Sequence, residues 1–257
     1  MKITIIGYGN MGQAFKAFLT SNLKHWQIFV IDRKLKRDSK IALTQFSTSD
    51  FVILAVKPQD LAEVASQISG RIGRDSILVS VAAGITITKL AHLFLHKKIV
   101  RCMPNMAITY GQGIMAWSAR GLSSKEKAKV RILFKAVANN FEVAEEELID
   151  VVTAISGSGP AYFFLLCDSL RQTAISLGLN HQQADLLVAK TFFGAAAIKQ
   201  GNSKASYQEL IKKIASKKGT TEAALKYFSK HNFARTVQNA VRAAFNRARE
   251  INHGKID

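Results

Sequence analysis

Near the amino terminus, Gly7-Tyr8-Gly9-Asn10-Met11-Gly12 has the spacing G-x-G-x-x-G. A β-rich run, KITII, precedes it and a helical pattern follows. In that context the motif suits a dinucleotide pyrophosphate. Gly7 permits the tight turn, Gly9 lets backbone approach the phosphates, and Gly12 lets the helix pack closely on the strand. The helix end, with Asn10 and Met11 in its first turn, supplies N–H donors. A glycine turn without a ligand is the plainer alternative, and the flanking elements argue against it. Asp32 lies 20 residues past Gly12, where an acid would bind the ribose of NAD. Arg33, Lys34, Lys36 and Arg37 follow at once and could embrace the extra phosphate of NADP. These residues leave NAD and NADP both open.

Three further segments end predicted strands: Ala55-Val56-Lys57-Pro58, Ser80-Val81-Ala82-Ala83-Gly84, and Arg101-Cys102-Met103-Pro104-Asn105. Ligands of open α/β sheets lie outside the carboxyl ends of strands, so these segments should line the same cleft. Pro58 as a helix start and Asn105 as a turn residue are the bland readings. Two segments stand out in the second half. Ser156-Gly157-Ser158-Gly159-Pro160-Ala161-Tyr162 reads as a helix start with Gly159 at the cap. Ser216-Lys217-Lys218-Gly219-Thr220-Thr221 precedes EAALKYFSKH and combines glycine, hydroxyls and free helix-end N–H groups, a natural carboxylate or phosphate site. On spacing alone, simple capping by Thr220 or Thr221 explains it as well. His92 and His96 have the i, i+4 spacing of half a metal site, but without a third ligand nearby they read as structural.

The elements that must position these residues fall into two sets. Residues 2–6, 28–31, 50–56, 77–82 and 99–103 are Val- and Ile-rich runs, apolar on both faces as in a covered parallel sheet. Helical patterns at 11–21, 58–69 and 86–95 alternate with them, which implies a doubly wound sheet. A strand near 113–118 and a helix at 123–138 continue the domain, with Ser123, Ser124 and Glu126 resembling a capping box. From about residue 148 the pattern is helical: 160–177, 181–200, 206–215, 221–230 and 233–251. This divides the chain into residues 1–150, a dinucleotide-binding domain, and 151–257, a helical domain. The helix YFFLLCDSLRQTAISLG is too apolar for a solvated face and predicts an oligomer interface.

The 257 residues are 48% hydrophobic, which excludes disorder as a class. No apolar run approaches the roughly 18–20 residues that span a bilayer, and MKITIIGYGNMG lacks a cleavage site, so neither a membrane protein nor a signal peptide is expected. Cys102 and Cys167 are far apart in apolar contexts, which points to a cytoplasmic protein. The net charge of +18 is scattered rather than clustered, so it suggests a basic surface attracting small anions, and nucleic acid is not expected as a partner.

Together, GYGNMG, AVKPQ, SVAAGI, RCMPN, SGSGPAY and GTTEAAL, in this order, closely resemble the pyrroline-5-carboxylate reductases over nearly the whole chain. The resemblance implies a Rossmann fold, doubly wound with a mostly parallel sheet, followed by an all-α C-terminal dimerisation domain. It implies NAD(P)H-dependent reduction of 1-pyrroline-5-carboxylate to L-proline, in homo-oligomers of at least a dimer and up to a decamer. It assigns the substrate carboxylate to Ser216, Gly219 and Thr220, and the ring nitrogen to the hydroxyl of Thr221. Three departures surround the substrate side. Met106-Ala107 replaces Thr-Pro, Lys217-Lys218 replaces Pro-Gly, and Ser206-Tyr207 replaces His-Pro. Of these Lys218 matters most, because glycine in an anion loop often serves close approach or positive φ. Re-tuned activity, a related imine reductase or 3-hydroxyacid dehydrogenase, and a non-catalytic cofactor-binding paralogue are the alternatives.

Overall fold

The computed structural model describes residues 1–32 and 45–252. Seven strands form one sheet: β1 Lys2–Ile6, β2 Gln27–Ile31, β3 Phe51–Leu54, β4 Ile77–Ser80, β5 Ile99–Pro104, β6 Ile114–Arg120 and β7 Asn139–Glu142. Their order is β2-β1-β3-β4-β5-β6-β7. Strands β1 to β5 are parallel, β6 pairs antiparallel to β5, and β7 runs parallel to β6. The chain leaves β1 for β2 on one side and returns to β3 on the other, which puts the switch point between β1 and β3.

Alternate residues of each strand serve two cores. Ile3, Ile5, Phe51, Ile53, Val79 and Trp117 pack on one face with Phe15 and Leu19 of α1 (Asn10–Asn22) and Leu133 and Phe134 of α4 (Ser124–Lys135). Ile6, Val52, Leu54, Leu78 and Ile99 face the other way, onto α2 (Leu61–Ile68) and α3 (Ile87–Phe94). Burial on both faces is why these strands read as unbroken apolar runs. The expected capping box is present: Ser123 accepts from the Glu126 N–H, and Glu126 accepts from the Ser123 N–H at 2.7 Å.

Several expected boundaries are corrected. The stretch 58–69 is a 3-10 turn, Pro58–Asp60, followed by α2. The helix expected over 123–138 ends at Lys135, and the next residues turn into β7, an edge strand tied to β6 by the Trp117 indole donating to Asn140 at 3.2 Å. The segment read as a helix start at SGSG is already helical: α5 (Leu148–Val152) leads into a π turn, Thr153–Gly157, and then α6 (Gly159–Ser176). Gly159 is therefore the first residue of a helix rather than its cap. The expectation that no segment is long enough to cross a bilayer is corrected too. Leu148–Ser176 passes that test by length and composition, because α5, the π turn and α6 follow one another without a loop.

The described chain forms two compact units, residues 1–158 with 243–257, and residues 159–242. The second contains α6, α7 (His181–Gly201), α8 (Tyr207–Ile214), α9 (Thr220–Lys230) and the start of α10 (Phe233–Asn252). Capping boxes, Asn180 with Gln183 and Ser206 with Glu209, start α7 and α8. The replaced pair Ser206-Tyr207 thus has a local use. Apolar side chains stand out from this unit in a single chain: Phe164 is 65% exposed, Leu165 70% and Phe193 67%.

Candidate active site

The glycine turn leaves β1 at the switch point. Gly7 has φ +94 and is buried; a Cβ there would come within 2.6 Å of the Ala55 carbonyl and 2.8 Å of Val56 Cγ1. Gly12 is buried as well, and a Cβ on it would overlap the Gly7 carbonyl. Gly9 differs: it is exposed, and a Cβ would meet nothing within 4 Å. Gly7 thus closes the turn against Ala55 and Val56, just past β3, and Gly12 closes it against Gly7, while Gly9 faces open space. Gly9 is the N-cap of α1, with no side-chain cap, so the first-turn N–H groups of Asn10, Met11 and Gly12 remain available to an anion.

The turn is held by contacts that sequence spacing does not show. The Tyr8 N–H donates to the Asp32 carboxylate at 2.7 Å, and the Gln13 amide donates to the Tyr8 carbonyl at 3.0 Å. Lys16 Nζ lies 5.2 Å from the centre of the Tyr8 ring. One oxygen of Asp32 therefore faces the turn. Arg33, with Lys34, Lys36 and Arg37, lies outside the described residues.

Ala55, Val56, Lys57 and Pro58 follow β3, and the first two stand beside the glycine turn. Lys57 is exposed and Pro58 opens the 3-10 turn. Asn105 lies two strands further along the same edge. Its side chain accepts from the Ile114 N–H at 3.3 Å and its carbonyl from the Ile108 N–H at 3.1 Å, so it also fixes the link from β5 to β6. Met106 and Ala107, the replaced pair, open the 3-10 turn that Asn105 caps.

Arg101 was read only as part of a strand end. It is 2% exposed and donates to Glu146 at 3.0 Å and Asp150 at 2.8 Å. Glu146 also accepts from the Ile87 N–H at the start of α3 at 2.8 Å. This network ties β5 to α3 and α5, and Gly157 of the π turn lies against the end of the Met103 side chain. Partners 45 and 49 residues away leave no local signal in the sequence. Cys102, next in β5, is buried, which pushes its thiol well above the usual range. His96 is buried and bonded to the Ser76 carbonyl at 2.8 Å; burial lowers its pKa and holds it neutral.

Ser216, Gly219, Thr220 and Thr221 lie in the other unit. Gly219 is the N-cap of α9, with φ −83, ψ 170 and no side-chain cap. The threonines therefore occupy the first two helical positions and do not cap the helix. Gly219 donates its N–H to the Ser216 carbonyl at 3.0 Å, and a Cβ on it would overlap Ser216 Oγ. Lys218 sits in the left-handed region at φ +61, the conformation for which glycine is the usual residue. Thr220 is exposed and Thr221 half-buried.

A pyrophosphate cradle at the switch point of a doubly wound sheet marks the class of dinucleotide-binding oxidoreductases. The chain has a glycine turn with an open helix end at that point, and its sequence matches a family model described as "NADP oxidoreductase coenzyme F420-dependent" over residues 2–84. A second model, "Pyrroline-5-carboxylate reductase dimerisation", matches residues 146–251. Pyrroline-5-carboxylate reductases from Aquifex aeolicus and Haemophilus influenzae are each 34% identical to it; the alignments cover 98% and 97% of this chain and 97% of each relative. The chain belongs to the pyrroline-5-carboxylate reductase family. Solved structures agree. The Coxiella burnetii enzyme superposes with TM-score 0.87 at 29% identity over 97% of both chains. The Plasmodium falciparum enzyme, with NADP bound, does so with TM-score 0.84 at 28% identity over 98% of both. An imine reductase from Streptomyces aurantiacus, at 13% identity and TM-score 0.51 over 79% of this chain and 77% of its own, shares the fold alone.

Proposed function

We propose that the protein reduces 1-pyrroline-5-carboxylate to L-proline with NADPH or NADH, the closing step of proline biosynthesis. The observation that carries this reading is the pairing, in one chain of this family, of two helix N-termini left open by glycine: one at Gly9 and one at Gly219. The first fits a dinucleotide pyrophosphate and the second a small carboxylate.

Gly7, Gly9, Asn10, Met11 and Gly12 would hold the pyrophosphate, with Ala55, Val56, Lys57, Pro58 and Asn105 lining the same strand edge. Asp32 and Arg33 would sit nearest the adenosine ribose. When bound, the reduced nicotinamide supplies the hydride that the imine carbon accepts. What the chain itself must do is place the imine and keep its nitrogen protonated. Ser216, the bare backbone of Gly219 and the N–H of Thr220 are assigned to the substrate carboxylate, the Gly219 N–H being given to the Ser216 carbonyl. The Thr221 hydroxyl is assigned to the ring nitrogen. A hydroxyl is too weak an acid to be the proton source, so Thr221 orients an iminium N–H or a water. A protonated imine is already electrophilic, and the rest is proximity.

The test is the decay of nicotinamide absorbance with pyrroline-5-carboxylate and each cofactor in turn, beside other imines and 3-hydroxyacids. Turnover with pyrroline-5-carboxylate alone supports the reading; turnover only with the others, or dinucleotide binding without turnover, overturns it. We place the division between cofactor and substrate domains near residue 150. The chain forms homo-oligomers, as its dimerisation segment indicates. We extend this to a decamer built from dimers, in the cytoplasm, with anionic small molecules rather than nucleic acid attracted by the basic surface. The exposed apolar side chains of α6 and α7 support the first step of that assembly. Light scattering should find ten subunits, and a species of two would limit the assembly to the dimer.

A further inference from the structure

We propose that Glu222 is a positioning residue of the anion loop: its carboxylate holds the left-handed turn at Lys218 and so fixes where the donors of Thr220 and Thr221 point. The role in catalysis rests on the substrate reading given above. Among the described residues, three other than glycine have positive φ: Leu95, Lys218 and Asn232. Leu95 and Asn232 follow the ends of α3 and α9, where a left-handed residue commonly closes a helix. Lys218 instead precedes a helix, so helix closure does not account for it. A side chain with a Cβ disfavours this conformation, and a local contact must select it.

That contact is the Lys218 N–H donating to Glu222 Oε2 at 2.5 Å. Lys226, one helical turn on, holds the other oxygen of Glu222 at 3.1 Å. The Lys218 bond, then Lys226, keeps the Glu222 carboxyl below its usual range, so it stays charged at ordinary pH. In the capping boxes of this chain the third helical residue returns to the N–H of the cap itself: Glu126 to Ser123, Gln183 to Asn180, Glu209 to Ser206. Glu222 is also the third residue of its helix, yet it reaches one residue further back. The cap N–H, on Gly219, is already given to the Ser216 carbonyl. The arrangement is a capping box shifted by one residue. It anchors the loop while leaving the cap position without a side chain, and so leaves the first N–H groups of α9 to a ligand.

The experiment compares Glu222→Ala, Glu222→Gln and Lys218→Gly, with the Ala and Gly changes also combined. Glu222→Ala should raise KM for pyrroline-5-carboxylate about tenfold, a larger change than any fall in kcat, with the KM for NADPH unmoved. The amide oxygen of Glu222→Gln still accepts the bond and should restore most of the loss. In the Lys218→Gly background, where positive φ costs nothing, Glu222→Ala should cost only about threefold or less. Hydrogen exchange over residues 216–222 reads the turn without turnover: faster in Glu222→Ala, near the parent in Glu222→Gln. Unchanged exchange in Glu222→Ala overturns the proposal. So does an equal loss in both backgrounds, a parallel change in the NADPH KM, or Glu222→Gln behaving as Glu222→Ala. A parent that does not turn over the imine defeats the substrate reading instead, and exchange alone then decides whether Glu222 holds the turn.

Discussion

Gly9 and Gly219 have nearly the same backbone conformation, φ −72 and ψ −170 against φ −83 and ψ 170, and each opens a helix without a side-chain cap. Helices α3, α4, α7 and α8 instead start with Thr86, Ser123, Asn180 and Ser206, whose side chains accept from the first turn. The two open ends are built differently. At Gly9 tertiary packing does the work: Gly7 presses against Ala55 and Val56, Gly12 against Gly7, and Asp32, 24 residues from Tyr8, holds the turn. At Gly219 the contacts that hold the turn are local, within Ser216 to Lys226. An anion site can therefore be fixed by a sheet edge or by one helical turn, and the second kind tolerates substitution more readily.

Gly9→Val should show the largest effect. The valine meets open space in the protein but fills the place of a pyrophosphate, so calorimetry should find dinucleotide binding weakened by about a hundredfold or more. The melting temperature should move by no more than about 2 °C. Gly7→Ala reverses the pattern, because φ +94 and the Ala55 carbonyl oppose a side chain; a loss of about 2–3 kcal/mol in urea unfolding is expected. If both variants lost only stability, the contrast within the first turn would be broken.

At the second site, Thr221→Ala should lower kcat/KM for the imine about tenfold, the worth of one positioned hydrogen bond, with dinucleotide affinity unchanged. An equal loss of dinucleotide affinity would mean that the two helix ends do not divide the labour as described. Asp32→Ala removes the anchor of Tyr8 and should weaken dinucleotide binding about fivefold without changing the KM for the imine. Binding left as tight as in the parent would mean that packing alone fixes the turn.

The smallest effect belongs to a capped helix. Glu126 is held at about 2, from an ordinary value of 4.5, first by the Lys98 ammonium 2.8 Å away and then by the Ser123 N–H. A depressed carboxylate contributes its stability above the unfolded value and loses it as pH falls from about 4.5 toward about 2. Near the surface this amounts to a few tenths of a kcal/mol. Urea unfolding at pH 6 and pH 2.5 should show a smaller difference in Glu126→Gln than in the parent, with imine turnover at neutral pH unchanged. An identical difference in both proteins would remove Glu126 as its source.

The parts of the molecule legible in the sequence are those with a local period. Strands β1, β3, β4 and β5 showed as Val- and Ile-rich runs because both their faces are buried, the half-buried edge strand β2 showed by its β-branched residues, and the Ser123 box showed because its partners are three residues apart. The strand expected near 113–118 is β6, but its antiparallel direction was hidden because a run such as IMAWSAR carries no mark of it. Strand β7, NNFE, is too short and polar to register, and exists through its pairing with β6. The π turn was hidden because glycine and serine at 156–159 suggest a loop, whereas the preceding helix simply continues through them. Of the candidate site, the tight turn at Gly7 and the glycine-like conformation at position 218 were legible. The Arg101 network was not, since its charges meet only after β5, α3 and α5 are in place.

The long helical run Leu148–Ser176 bears on how the protein is kept in the cell and in the tube. An isolated chain presents Phe163, Phe164, Leu165 and Leu166 to water, 40–70% exposed, and Phe193 on the neighbouring helix adds to them. Covering them by another copy couples folding to association, so conformational stability becomes a function of subunit concentration. Dilution then acts as a denaturant, and newly made chains need prompt encounters with their own kind to avoid unspecific clumping.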